Sequence, residues 1–461
     1  MWTGIEIDLA LNCKVGAFKD SIFNGISINS KKICKGDLFI PIKGARFDGH
    51  NFVYEALKNG AYAALAERPY SKKLENVKKK LIFVDDTYKS LVKLAIFSRK
   101  RAKNSIIISI TGSSGKTTLK EWLKEVLSNY YNTYANLGNL NNQIGVPLTL
   151  ANMPLNTNVS VLEVGMNQPG EIARLTKIIK PNIAIITNIG SAHIGNFKTK
   201  KDIASEKSQI FKFLTKNDTA IIPKDDEYFK ILKKQASKKS GNIFSFGKDK
   251  DSEFKIISYQ KQQYPVFLIN RNKIIVEFQC PDKKWEYNIA VILGVAQLLN
   301  LKLSQVAKKV LSLRPLKGRG MLNELTFNKT KFTLIDESYN SNPKSLEDSL
   351  NFLSQKQFVK RRKIIVIGDM LELGNRSKIF HQSVIPYLER LKPFSVITVG
   401  IFSKVIHDKL NKKISSFHFN SYENVYNKLI ELISNHDLIM IKGSNSIELD
   451  KVCAELKKKK N

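Results

Sequence analysis

Short, continuous apolar runs rich in β-branched residues recur along this chain. Each gives way to glycine or polar residues and then to apolar positions at helical spacing. That succession predicts parallel sheets in an α/β fold. Ser105 to Ile110 is the clearest run. Val159 to Val164, Ile183 to Asn188, Thr219 to Pro223, Phe332 to Asp336, Lys363 to Gly368, Ser395 to Gly400 and Leu438 to Lys442 are the others. Open α/β sheets bind ligands beyond the carboxyl ends of their strands, so polar residues just past these runs are the candidates for chemistry.

Between the runs, Asp85 to Lys103 reads as an amphipathic helix and linker, and Leu311 to Gly320, with Pro315, Gly318 and Gly320, reads as a turn-rich connection. These divide the chain into residues 1–100, 101–314 and 315–461, and 461 residues at about 150 per domain also predict three units. Leu456 to Asn461 is expected to be a frayed basic tail. No internal repeat or low-complexity tract interrupts the pattern.

Composition narrows the class. With 43% hydrophobic and 25% charged residues the chain is neither disordered nor a membrane protein. No apolar run reaches bilayer length. The start, Met1-Trp2-Thr3-Gly4, lacks the basic segment and apolar stretch of a secretory signal, so a cytoplasmic location is expected. Cys13, Cys34, Cys280 and Cys453 have neither metal-ligand spacing nor a disulfide framework. The net charge of +34 raises nucleic acid as a partner. However, lysine is spread along the whole chain, with short clusters at Lys78 to Lys80 and Lys457 to Lys460, and asparagine and isoleucine are also heavily used. Solvated lysine faces account for this better than a nucleic-acid site, so neither nucleic acid nor membrane insertion is expected.

The strongest chemical signal is Thr111-Gly112-Ser113-Ser114-Gly115-Lys116-Thr117-Thr118, between a strand and a helix. Backbone N–H groups there face phosphate oxygens. Lys116 neutralises phosphate charge, and Thr117 is placed to bind Mg²⁺. Ile110 stands where the standard pattern has a glycine, so this is a shorter form of the loop. A nucleotide site alone leaves ATPases, GTPase switches, kinases and ligases open. Glu163 at a strand end suits a metal ligand. His193, in Thr187 to His193, follows another strand end and is a second candidate.

With these motifs in view, the chain resembles the Mur ligases, amide-forming enzymes of peptidoglycan and cell-wall synthesis, over nearly its whole length. The short Thr-Gly-x-x-Gly-Lys-Thr-Thr loop is that family's form. Gly138 to Thr149, Asp336 to Pro343, Gly368 to Gly374 and Lys442-Gly443-Ser444 resemble the branch that adds D-alanyl-D-alanine to a UDP-N-acetylmuramoyl tripeptide. The resemblance implies a smaller N-terminal UDP-sugar domain, a central P-loop ATPase domain with a parallel sheet, and a C-terminal Rossmann-like α/β domain that closes over the site. It further implies a monomer using ATP and two Mg²⁺ ions.

Residue by residue, the resemblance implies a uridine-binding segment from Gly25 to Lys31, with Ser30 and Lys31 as contacts, continued through Gly36 to Phe39 and Gly44 to His50. Lys31 replaces a usual arginine, keeping the charge without the planar fork. Ile203 to Phe211 is similar to the segment whose lysine carries a carbamate, which implies Lys207, although Gln209 stands where glutamate is usual. Lys116, Lys207 and His193 are then the catalytic set, and Thr117, Glu163, His193 and carbamylated Lys207 the metal set. ATP contacts are Gly112, Ser113, Ser114, Gly115, Lys116, Thr117, Thr118, Asn288, Arg319 and Asp336. Asn141, Asn142, Tyr339, Asn340 and Asn342 are substrate contacts. Two alternatives stay open: a related ligase adding another amino acid or a glutamate tail, and a nucleotide switch or nucleic-acid-stimulated ATPase.

Overall fold

The computed structural model describes residues 1–44, 47–257, 264–277 and 284–458. Arg46, within the uridine-type segment, and Cys280 lie outside the described residues. Three sheets organise the molecule. Near the N-terminus, Ile26–Ser27, Leu38–Phe39, Ala63–Glu67 and Leu81–Val84 form a parallel sheet of four strands, and Trp2–Thr3 pairs with Ile22–Phe23. The helix Thr87–Arg101 starts at an Asp86 cap and packs on the helix Gly145–Ala151 of the middle region. Trp2 also crosses to this region, its Nε1 donating to the Ala151 carbonyl at 2.7 Å. Asn152 does the same in reverse, bonding both the N–H and the carbonyl of Ile26.

The central sheet has nine strands among the described residues. Ile106–Thr111 lies between Val159–Glu163 and Ile183–Ile186, with Thr133–Ala135 beyond the former; Thr219–Pro223, Asn242–Gly247 and Phe254–Ile257 extend the other side in parallel. Val266–Ile269 and Asn272–Ile275 then add an antiparallel hairpin at the edge. Helices cover both faces, which is why the inner strands are mostly apolar: Ile107, Ile108, Ile110, Val161, Leu162, Ile185 and Ile186 are all fully buried, with the small serines Ser109 and Ser160 among them.

The last sheet has six strands among the described residues. Thr330–Glu337 pairs antiparallel with Met321–Phe327, then parallel with Asp437–Lys442; Lys363–Gly368, Ser395–Val399 and Ser415–Phe419 follow. The C-terminus departs from the sequence expectation. Leu456 to Lys458 is helical, the end of Leu449–Lys458, and not a frayed tail. Leu456 is buried, and Lys457 Nζ lies 2.6 Å from Asp336 Oδ2. Lys459 to Asn461 lie outside the described residues. Cys13, Cys34 and Cys453 are free thiols, and burial holds that of Cys453 well above the ordinary range. Among the described residues no helix is long and apolar enough to cross a membrane.

Candidate active site

A cleft of about 1100 Å³ opens between the central and C-terminal sheets. Its floor is the phosphate loop joining Ile106–Thr111 to the helix Lys116–Leu127. Gly112 has φ 149°, and a Cβ there would meet Thr187 Oγ1 at 1.9 Å; Gly115, at φ 79°, begins the helix. The connection after Ile183–Ile186 braces the loop. Ser114 N–H donates to Asn188 Oδ1 at 3.0 Å, Thr187 Oγ1 to the Ser114 carbonyl at 2.6 Å, and Gly190 N–H to Ser113 Oγ at 2.7 Å. Ile110 is still strand, fully buried and paired with Glu163 and Ile185, so the turn begins one residue later and needs no glycine there.

Lys116 Nζ rests on the Gly112 carbonyl at 2.9 Å, and Lys207 Nζ reaches the same oxygen at 3.0 Å from the helix Lys200–Lys207. Lys207 is 1% exposed. Burial, reinforced by the neighbouring Lys116 ammonium, holds its amine well below the ordinary lysine range. Burial also lowers Lys116. Glu206, next in sequence, caps the helix Glu171–Ile179 by accepting from Gly170 and Ile172 N–H, and Gln209 instead approaches the Ser205 carbonyl on its own helix.

Glu163 ends its strand with both carboxylate oxygens engaged: Thr117 Oγ1 donates to Oε2 and Asn141 Nδ2 to Oε1, each at 2.7 Å. From the C-terminal side, Arg319 Nη2 donates to Thr117 Oγ1 at 2.9 Å, and its guanidinium lies 4.1 Å above the Tyr339 ring. His193, at φ 63°, has Nδ1 2.6 Å from Glu372 Oε2, a close approach that is not aligned as a hydrogen bond. His193 holds the Glu372 carboxyl below its usual range. No group of three or more His, Cys, Asp or Glu side chains is preassembled among the described residues. The hydroxyl and carboxylate of Thr117 and Glu163 nevertheless form a hard oxygen pair beside the phosphate loop, which fits Mg²⁺.

Asn142, Asn288, Tyr339, Asn340 and Asn342 also line the cleft. Several are already committed. Asn142 Oδ1 accepts from Gly145 N–H at 2.8 Å, and Asn342 caps the helix Pro343–Leu353 by accepting from Ser345 N–H at 2.9 Å. One expectation needs correction. Asp336 does not face the cleft: it is 1% exposed, with its carboxylate taken by Lys457 and Ser338. Burial alone would raise its pKa; Lys457 and Ser338 outweigh this and hold it low. Alternation along the strand turns the next residue, Glu337, to the cleft, against Lys442 at 2.9 Å and Lys284 at 3.2 Å. Ser30 and Lys31 lie apart from this cleft, in the N-terminal sheet region to which the uridine segment belongs; Ser30 Oγ donates to Glu55 at 2.7 Å and Lys31 is exposed.

Sequence reasoning missed the supports. Lys120 is fully buried and donates to the Asn136 and Gly138 carbonyls at 2.5 and 3.3 Å, while Asn136 bonds the Glu163 N–H and carbonyl and the Leu140 carbonyl. A lysine on the face that Leu119, Trp122, Leu123 and Val126 make apolar was the one available signal.

A phosphate loop facing a second α/β domain across a cleft defines a nucleotide-binding protein, and family models narrow the class. The Mur ligase middle domain matches residues 110–296, the Mur ligase glutamate ligase domain residues 324–445, and the Mur ligase family catalytic domain residues 22–99. The chain belongs to the Mur ligase family. Within it, the UDP-N-acetylmuramoyl-tripeptide--D-alanyl-D-alanine ligase of Rickettsia prowazekii is 36% identical, covering 97% of this chain and 96% of its own; the Bacillus subtilis enzyme of that name is 30% identical over 95% and 94%. Among solved structures, MurF from Acinetobacter baumannii is similar with a TM-score of 0.86 and 28% identity over 99% of both chains. MurF from Thermotoga maritima in complex with ADP is similar with a TM-score of 0.79 and 29% identity, over 94% of this chain and 97% of its own.

Proposed function

We propose that this chain is the ATP-dependent, ADP-forming ligase that joins D-alanyl-D-alanine to UDP-N-acetylmuramoyl-tripeptide, the activity named for its relatives. The observation that carries the reading is the contact of Arg319, from the C-terminal side of the cleft, with the phosphate-loop residue Thr117. A cleft that is bridged in this way gathers nucleotide and acceptor and excludes water, as an acyl-phosphate route requires.

A free carboxylate does not form an amide without a leaving group. The tripeptide carboxylate attacks the γ-phosphorus of ATP, an O–P bond forms, and ADP leaves. The dipeptide's neutral amine then attacks the acyl carbon, and the C–O bond breaks to release phosphate. Lys116 and the loop N–H groups hold the charge that spreads over the phosphoryl oxygens. Mg²⁺, when bound, would neutralise phosphate charge; we assign Thr117, Glu163, His193 and a carbamylated Lys207 to two such ions. The low pKa of buried Lys207 supports the last assignment, because only a neutral amine adds CO₂. Asn288 and Arg319 are assigned to the nucleotide, Asn142, Tyr339 and Asn340 to the peptides, and Ser30 and Lys31 to the uridine end. Residues 1–100, 101–314 and 315–461 are assigned as the three functional units. ATP and UDP-linked peptides are cytoplasmic metabolites, and we assign the chain there, as a monomer.

The test is ADP release with UDP-N-acetylmuramoyl-tripeptide present. D-alanyl-D-alanine should stimulate it far more than diaminopimelate, lysine or glutamate. Equal stimulation by a single amino acid would move the chain to another branch, and stimulation by nucleic acid instead would remove it from the ligases.

A further inference from the structure

The segment Gly368 to Gly374 carries no part of the mechanism above, yet it is tied down on three sides. The Asp369 carboxylate accepts from Phe402 and Ser403 N–H, Met370 N–H donates to His381 Nε2 at 2.9 Å, and Leu371 N–H to Ser444 Oγ at 3.0 Å. These bonds deliver Glu372 to the cleft with φ 64°, a backbone conformation that glutamate seldom adopts. Its carboxylate meets His193, itself at φ 63° on the central side. The backbones touch as well: the Glu372 carbonyl accepts from Gly195 N–H at 3.0 Å, and a Cβ on Gly195 would lie 2.6 Å from Gly374 N and 2.9 Å from the Glu372 oxygen. Arg376 Nη2 adds a bond to the Lys198 carbonyl at 3.0 Å.

Two uncommon backbone conformations, kept opposite each other across the domain boundary, bring one carboxylate to one imidazole. Imidazoles that bind metal through one nitrogen commonly give the other N–H to a carboxylate, which fixes tautomer and ring orientation. We propose that Glu372 is a positioning residue whose carboxylate, set against His193 Nδ1, orients the imidazole so that Nε2 is presented to the magnesium site, and that the C-terminal domain thereby completes a metal site built on the central domain. This rests on the assignment of His193 as a metal ligand. It makes metal binding and domain closure reciprocal, each strengthening the other by the same factor.

Mn²⁺ titrated into the full-length protein with saturating ADP, followed by electron paramagnetic resonance, tests it. Glu372→Gln should weaken Mn²⁺ binding about tenfold or more. His193→Ala should weaken it at least as much, and the double variant no further than His193→Ala. Histidine ¹⁵N shifts should show His193 leaving the Nδ1–H tautomer in Glu372→Gln. Small-angle scattering should show Mn²⁺-dependent compaction in the wild type and its loss in both single variants. If Glu372→Gln proves unfolded, Gly195→Ala, which separates the two surfaces without altering either side chain, should weaken Mn²⁺ instead. Wild-type Mn²⁺ affinity in a folded Glu372→Gln or Gly195→Ala, alongside a weakened His193→Ala, overturns the role of Glu372 alone. Wild-type affinity in His193→Ala overturns the metal assignment and the proposal with it.

Discussion

Lys116 works through charge on a scaffold that does not depend on it: its Nζ rests on the Gly112 carbonyl, and the loop is braced independently by Thr187 and Asn188. Lys116→Ala should therefore lower ligation by about 10²-fold or more while circular dichroism and Tm stay near wild type. Lys207 differs, because its role requires a negative arm in a buried place. Lys207→Ala should lose activity to a similar degree, and formate or acetate should restore part of it by supplying a carboxylate; Lys207→Arg, a permanent cation, should not be rescued. Full activity in Lys207→Arg would show that no carbamate is needed. The loop residues were legible because the positive φ of the turn calls for glycine at Gly112 and Gly115, and phosphate charge calls for a lysine next to it. Asp336 and Glu337 were not separable in the same way. Adjacent acids on a strand point to opposite faces, and nothing local says that Lys457, 121 residues away, claims the first of them.

That pairing makes the final helix, Leu449–Lys458, part of the C-terminal core rather than an appendage. Lys457→Met should cost about 1–3 kcal/mol, since Asp336 would be left buried without its cation, facing only neutral partners such as Ser338. Asp336 has its pKa lowered on folding, so its pairing contributes stability above the unfolded carboxylate value, about 3.9, and loses it as pH falls through the folded value. Thermal melts should show wild type and Lys457→Met converging in acid below about pH 4 and separating above it. Parallel strands were legible as apolar runs because helices cover both their faces. The tail was misread because its composition, four lysines in the last five residues, matches disorder until a buried acid elsewhere gives one of them a partner. The hairpin Val266–Ile269 and Asn272–Ile275 was also missed: its outer strand is an exposed edge, with Ile275 51% exposed, and lacks the run pattern of the interior.

At the scale of the whole molecule, the central and C-terminal units touch through backbone where Gly195 meets Glu372 and Gly374. Gly195→Ala should leave both units folded but oppose this contact by about 1–3 kcal/mol of overpacking. Small-angle scattering should report a more open average shape, and kcat and KM for ATP should worsen together. The contact of the first and middle units has a different consequence, which concerns time. Trp2 bonds the carbonyl of Ala151, 149 residues later, and its indole also stacks under the Arg101 guanidinium at 3.9 Å. A chain elongating at about 5–20 residues per second exposes this N-terminal tryptophan for on the order of 10 s before its acceptor leaves the ribosome. The nascent first unit thus waits with an unfinished apolar face, and chaperone capture of this protein should peak on ribosome-bound chains that stop short of the helix Gly145–Ala151.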